Sequence, residues 1–313
     1  FAALATGGAV VAGQYLGQKN KEQACKSTTQ LMWSMGLISL VITVFVYACK
    51  YWILHGVFGQ IEADVMHHAD VYLLIVTASI PFIALYNGGA AVFRAMGNSE
   101  VSMKVSLLMN AINVSGNAIL IYGFHCGTEG VAIPTLVSRF VAAFIIIKLL
   151  LKDNWSLHLE RTFRFNPDWS MIRKILSVGI PNGLENSMFQ LGKVLVLSLV
   201  STFGTYAIAA NAVALTVADF IQMPAYAVGL GMTTVVGQCI GAERKKEAQF
   251  YASHILFVSF LLEAGLAVAA YVWSGQITGF YRLTEETAAV ARQLICFHSL
   301  ICGVYLPLIS RAY

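Results

Sequence analysis

Apolar runs of about twenty residues or more recur along this chain with short charged breaks between them, and few folds can accommodate that pattern. A helix rises 1.5 Å per residue, so roughly 20 residues cross a hydrocarbon core about 30 Å thick. Inside that core no water reaches the backbone, so each segment must satisfy its own N–H and C=O groups, which leaves helices or closed barrels. The runs lack the period-2 alternation of a barrel strand. Of the 313 residues 58% are hydrophobic and 12% charged, more apolar sequence than a soluble core of this length hides. The breaks place a partial helix over 1–17 and helices near 31–58, 69–93, 105–124, 130–151, 172–201, 206–241, 249–280 and 287–313.

Two stretches nearly repeat each other. Gly13-Gln14-Tyr15-Leu16-Gly17, followed by Lys21 and Ala24, is echoed by Gly237-Gln238-Cys239-Ile240-Gly241, Lys245 and Ala248; the differences 237 − 13, 245 − 21 and 248 − 24 all equal 224. Each copy closes an apolar run and opens a basic loop, where tight packing and helix-end capping are expected. Parallel halves in a membrane chain point to a transporter whose substrate passes between them. The polar stretch 153–171 falls at the junction, giving an N-terminal lobe over 1–152, an interlobe linker over 153–171 and a C-terminal lobe over 172–313. That linker is several times too short for a catalytic domain. Phe1 opens inside an apolar stretch without a charged n-region, unlike a signal peptide. Projecting the repeat forward gives the expectation of a chain incomplete at both ends.

Loop charges alternate. Lys19, Lys21, Lys26, Arg94, Lys104, Lys148, Lys152, Arg161, Arg164, Arg173, Lys174, Arg244, Lys245 and Lys246 fall on one side; Glu62, Asp64, Asp70, Glu129, Glu285 and Glu286 fall on the other with Arg282. The positive-inside rule makes the first side cytoplasmic. The net charge of +4 therefore reports orientation and gives no reason to expect nucleic acid. Six scattered cysteines form no CxxC, and His67-His68 beside Asp70 reads as a solvated loop, so no metal site is expected. No GxxxxGK[ST] or HExxH occurs.

A charge at mid-bilayer costs at least about 2.5–3.5 kcal/mol on insertion scales, so an acid there needs a wet cavity, a partner or a proton. Glu185, Asp219 and Glu263 are the three intramembrane acids. Glu185 has Asn186, Phe189, Gln190 and Lys193 downstream; Lys193 is eight residues away, about 12 Å along the axis and too far for a direct bridge. Coupling or substrate contact competes there with an acid reaching the near interface. Asp219, with Asn211 before it and Gln222 after, precedes Pro224, which should bend a long helix and free carbonyls, a setting for cation binding or for a structural hydrogen bond. Gly229, Gly231 and Gly237 should let neighbouring helices approach. Glu263 has fewer polar neighbours and reads as structural or near headgroups. On 105–124, Asn110, Asn113 and Asn117 recur at i, i+3 and i+7, a polar stripe for binding or for interhelical hydrogen bonds. Arg139 reads as a packing residue. Met188, Phe189, Phe220, Met223 and Tyr226 near the acids suit promiscuous apolar cargo and organic cations, although such residues are common in membrane helices.

The chain resembles the multidrug and toxic compound extrusion (MATE) family. The resemblance is carried by the doubled GQxxG, Phe93-Arg94-Ala95-Met96-Gly97-Asn98-Ser99, Asn113, Asn117 and Gly123 leading into Gly130-Val131-Ala132, and Gly179-Ile180-Pro181 through Gly192-Lys193 to Gly204 and Ala209-Ala210-Asn211. It implies an all-α integral membrane protein of two six-helix lobes, covered here from the middle of the second helix to the tenth. It also implies a secondary antiporter exporting bulky, often cationic organic compounds in exchange for H+ or Na+, without a cofactor. Sodium-type members carry their acid one turn after Glu185, where this chain has Phe189, and use a further acid absent from 291–313. Proton-type members match Asn113 but carry an Asp where this chain has Asn117, and an amide cannot titrate. The resulting candidate set is Glu185, Asp219, Asn113, Asn117, Asn211, Gln190 and Phe189. The expected setting is a multi-pass monomer in the plasma (inner) membrane with the linker cytoplasmic and drug-like small molecules and lipid as partners. A lipid-linked saccharide flippase of the same broad superfamily is the alternative; it would want several cavity cations, and Lys193 and Arg139 alone are few.

Overall fold

A computed structural model of the chain describes residues 1–52, 54, 63–159, 167–281 and 283–309. Glu62, Arg161, Arg164 and Arg282 of the loop-charge pattern lie outside the described residues, as does the side chain of Asp64. The order is α1 (Ala2–Gly17), α2 (Lys21–Ala48), α3 (Lys50–Trp52), α4 (Ala63–Ala78), α5 (Ile80–Ala95), α6 (Ser99–Ala118) continued by a π turn Ile119–Gly123, and α7 (Glu129–Leu150). Then come α8 (Trp169–Ser201), α9 (Thr205–Gly241), α10 (Lys245–Val272), α11 (Ser274–Phe280) and α12 (Glu285–Ile309). No strand occurs among the described residues, and six segments are long and apolar enough to cross a membrane by length and composition.

The repeat extends to the backbone. Shifted by 224 residues, α2 (Lys21–Ala48) lands on the bounds of α10 (Lys245–Val272), and both helices have 28 residues. The corners before them are built alike. Asn20 N–H donates to Tyr15 O at 3.0 Å and Arg244 N–H to Cys239 O at 2.9 Å, with Lys19 at φ 59° and Glu243 at φ 61°. This six-to-one bond around a left-handed residue is the Schellman helix end, usually occupied by glycine. A third copy, Asn98 N–H to Phe93 O at 3.0 Å, does have glycine there, Gly97 at φ 78°.

By contact, the chain divides into two compact units, Phe1–Gly183 with Gly241–Glu243, and Leu184–Ile240 with Arg244–Tyr313. In the first, α1 packs on α2 and α5, and α5 on α7, around fully buried Leu31, Met35, Phe93 and Ile146. The opening turns of α8 belong to this unit: a Cβ on Gly7 of α1 would come within 2.6 Å of Ile175 O and 2.8 Å of Gly179 N, so the two backbones touch. A Cβ on Gly241 would likewise overlap the Gln14 carbonyl, consistent with the tight packing expected of the repeated motif. Asp168 caps α8 by accepting from Ser170 N and Met171 N at 3.1 and 3.2 Å, and pairs with Lys26 of α2 at 2.7 Å. The Lys26 hydrogen bond, helped by the Met171 N–H, holds the Asp168 carboxyl down to about 2. The described start of the 153–171 stretch packs here too, with Leu157 buried and Trp155 edge-on to Phe93 at 5.4 Å. In the second unit α10 packs on α12, and Val213, Ala214, Ile221, Ala267 and Ile295 form the core.

Several expectations change. The helix expected from 31 begins at Lys21, because Asn20 caps it by accepting from Gln23 N at 3.2 Å and polar first turns continue a helix beyond the lipid. The 69–93 run is two helices joined at Ser79, ahead of Pro81, and 249–280 breaks at Trp273. His67 and His68 lie on helix α4 and not in a loop, with Asp70 held by Lys50 at 2.6 Å. A Cβ at Gly229 or Gly231 of α9 would meet no described atom within 4 Å, so close helix approach is not found there.

Candidate functional site

The candidate residues fall in separate places. In the first unit, Asn117 Nδ2 donates to Asn113 Oδ1 at 3.3 Å and Asn113 Nδ2 to Thr135 Oγ1 at 3.0 Å, which ties α6 to α7. A Cβ on Gly116 would approach Pro134 Cβ to 2.7 Å, so the helices are close at this level. The stripe thus forms interhelical hydrogen bonds, yet Asn117 Oδ1 is buried without a partner among the described residues. Asn110 is exposed. Arg139 Nη1 donates to Ser79 Oγ at 2.7 Å, bracing the α4–α5 joint as a packing residue would.

In the second unit, α8 and α9 are joined by the short turn Thr202–Gly204. Lys193 Nζ lies 3.4 Å from Asp219 Oδ1 across them. On α8, Asn186, Phe189 or Gln190 and Lys193 follow one another at helical spacing on one face; on α9, Asp219, Gln222 or Met223 and Tyr226 do the same. Tyr226 OH donates to Gln222 Oε1 at 3.4 Å, and Phe189, Gln190, Met223 and Tyr226 are exposed. Asp219 lies 14 residues into the 37-residue apolar helix α9, about 21 Å from its start. Glu185 is exposed on α8 two turns before Lys193 and makes no hydrogen bond or ion pair with a described residue. Asn211, buried with Nδ2 unpaired, stands apart, eight residues before Asp219. Within the second unit, Asp219 is thus joined through Lys193 to the α8 face that carries Phe189 and Gln190, with Glu185 two turns before Lys193.

Of the two expectations for Glu263, structural or near headgroups, its burial fits the first. The residue is 1% exposed, and neither carboxylate oxygen has a hydrogen-bond partner among the described residues. Its counterpart 224 residues earlier is Ser39, which is 0% exposed and donates to Gly36 O at 2.8 Å. The same buried face thus holds a small, satisfied hydroxyl in one unit and a large, unsatisfied carboxyl in the other. The repeat offset, applied to α10, could have exposed this contrast. An apolar pocket of about 400 Å³ also opens in the second unit between Phe220, Ile221, Leu266, Trp273 and Tyr281, but no acid lines it.

Residues 1–119 and 181–310 match the MatE family model. The chain belongs to the MatE family. It is similar to the Bacillus subtilis "uncharacterized transporter YisQ", 26% identical over 94% of this chain and 65% of the relative, and to that organism's "probable multidrug resistance protein YoeA", 25% identical over 93% and 64%. The chain thus spans about 65% of the length of these curated relatives. The crystal structure of a MATE protein in complex with MaD5 shares the fold with a TM-score of 0.87 at 19% identity, over 99% of this chain and 72% of that one. This MatE chain is accordingly an all-α, multi-pass integral membrane protein of a transporter family. The parallel repeat and the helix order expected from the sequence stand with it.

Proposed function

We propose that this MatE chain is the greater part of a secondary active antiporter that exports bulky, often cationic organic compounds in exchange for H+ or Na+ by alternating access. The observation that carries this reading is Asp219, an acid 14 residues into an apolar helix, on a face it shares with Met223 and Tyr226 and paired with Lys193, whose α8 face also carries Phe189 and Gln190. Aromatic faces and a carboxylate attract organic cations, and polarizable methionine adapts to varied shapes. Glu185, at the edge of that face, is the group for the coupling ion; Asn211 and Gln190 supply polar contacts. In the first unit Asn113 and Asn117 hydrogen-bond cargo, with no proton of their own to give. The lobes are 1–152 and 172–313, the 153–171 linker faces the cytoplasm of a plasma (inner) membrane, and the protein works as a monomer whose only ligands are lipid, cargo and the ion. The names of the relatives, a probable multidrug resistance protein among them, support the cargo class.

A flippase for a lipid-linked saccharide would need cationic side chains free for an anionic headgroup. Lys193 and Arg139 alone are few for that purpose, and Arg139 is committed to Ser79. The experiment is reconstitution of the full-length protein in proteoliposomes with an imposed proton or sodium gradient. Ethidium efflux that accelerates with one of the gradients is expected; efflux indifferent to both would reject the reading.

A further inference from the structure

The Lys193–Asp219 pair has features that a simple helix clamp does not need. Its separation of 3.4 Å exceeds the roughly 2.7–2.9 Å of a charge-assisted hydrogen bond, so the contact is loose. Only Oδ1 is engaged, and the two side chains remain 51% and 58% exposed. Both stand on apolar helices, where a bare charge is costly and charged side chains pair with one another or face a cavity. Asp219 is the acid of the exposed aromatic face, and Lys193 puts a primary ammonium on a flexible stem where an incoming cation would bind.

We infer that Lys193 is a tethered competitor: its ammonium occupies the cation position on Asp219 and must be displaced by cationic cargo. The inference rests on reading Asp219 as a cation site, and it adds a device that sets affinity. When Lys193 holds Asp219, the carboxylate is neutralised and cations bind poorly, so the binding-competent fraction is the fraction of open pairs. Apparent affinity falls by that fraction; with the pair closed in nine molecules of ten, removing the ammonium tightens binding about tenfold. Displacement also gives Lys193 a free charge at the moment of loading, and its return to Asp219 helps expel the cargo. Arginine would act in the opposite direction, because its planar fork can hold both carboxylate oxygens where the lysine holds one.

The test is equilibrium binding of tetraphenylphosphonium to the purified full chain in detergent, with melting temperature confirming that each variant is folded. Lys193→Gln is expected to tighten binding about tenfold, Lys193→Arg to weaken it, and Asp219→Asn to weaken it strongly. In the Asp219→Asn background, Lys193→Gln should have no effect, which separates direct competition from a general change in field. Unchanged, weakened or absent binding by the folded Lys193→Gln protein overturns the inference, as does equal tightening with and without Asp219. Should gradient-driven efflux fail while the Lys193→Gln tightening holds, the antiport reading falls and the competitor stands.

Discussion

Gly7→Ala forces α1 away from the first turns of α8, and the structure sets the scale. The new Cβ would meet Ile175 O at 2.6 Å and Gly179 N at 2.8 Å, where ordinary contact begins at 3.4 Å. Both neighbours are backbone, so no side chain can swing aside, and the helices must part by about 0.8 Å, the difference between 3.4 and 2.6 Å. Overpacking of this kind costs about 1–3 kcal/mol. The helix propensity gained from alanine, up to about 1 kcal/mol, would mask part of that. Gly13 of the same helix is the control, because a Cβ there meets nothing within 4 Å. Propensity cancels between the two variants, and their difference isolates the clash. At about 2–4 °C per kcal/mol for a chain of this order of size, Gly7→Ala should melt roughly 2–12 °C below Gly13→Ala. Thermal unfolding of the purified protein in one detergent measures it. Equal melting temperatures, or a higher one for Gly7→Ala, would refute the close approach.

Lys19 and Glu243 occupy left-handed helix ends at φ 59° and 61°, a conformation costing a side-chain-bearing residue about 1–2 kcal/mol. Set against glycine's greater freedom when unfolded, Lys19→Gly and Glu243→Gly should each stabilise by about 0.5–1 kcal/mol, and a fall in melting temperature would contradict the geometry. Asp168 titrates at about 2 when folded, below its ordinary 3.8, so its contribution is present above about pH 4 and is lost as pH falls through 2. The melting gap between wild type and Asp168→Asn should therefore be full at pH 7 and close between pH 4 and pH 2; a gap independent of pH would show the Lys26 pair to be inert. Glu263→Gln removes a buried acid with no partner and should leave the melting temperature equal or higher. A large fall would mean that the carboxyl is satisfied by a group outside the described residues.

Much of the fold is readable in the chain because lipid enforces a simple rule: long apolar runs are helices, and the runs around 130–151 and 206–241 agree with α7 and α9 within a residue or two. What composition misses are polar turns that continue a helix beyond the bilayer, as in Lys21–Leu31, and breaks inside an apolar run, as at Ser79. The asparagine stripe is visible as a period on one helix, whereas its acceptor, Thr135, sits on the next helix and is invisible to periodicity. Lys193 could be judged too far from Glu185 on their shared helix, but its actual partner, Asp219, is 26 residues away and depends on how α8 lies against α9. Glu263 was readable as an acid in an apolar run, while its burial depends on α12 and the core around it.

The account turns on position 185 being reached by water from each side of the membrane in turn. Replacing the six cysteines, introducing Glu185→Cys and labelling with a membrane-impermeant thiol reagent from the inside or the outside of oriented vesicles tests this directly. Labelling from both sides, with the balance shifted by tetraphenylphosphonium or by the driving gradient, is expected. A thiol at 185 that reacts from neither side, or from one side only whatever the gradient, would place that side chain among lipid tails or in a static pocket and contradict alternating access through this face.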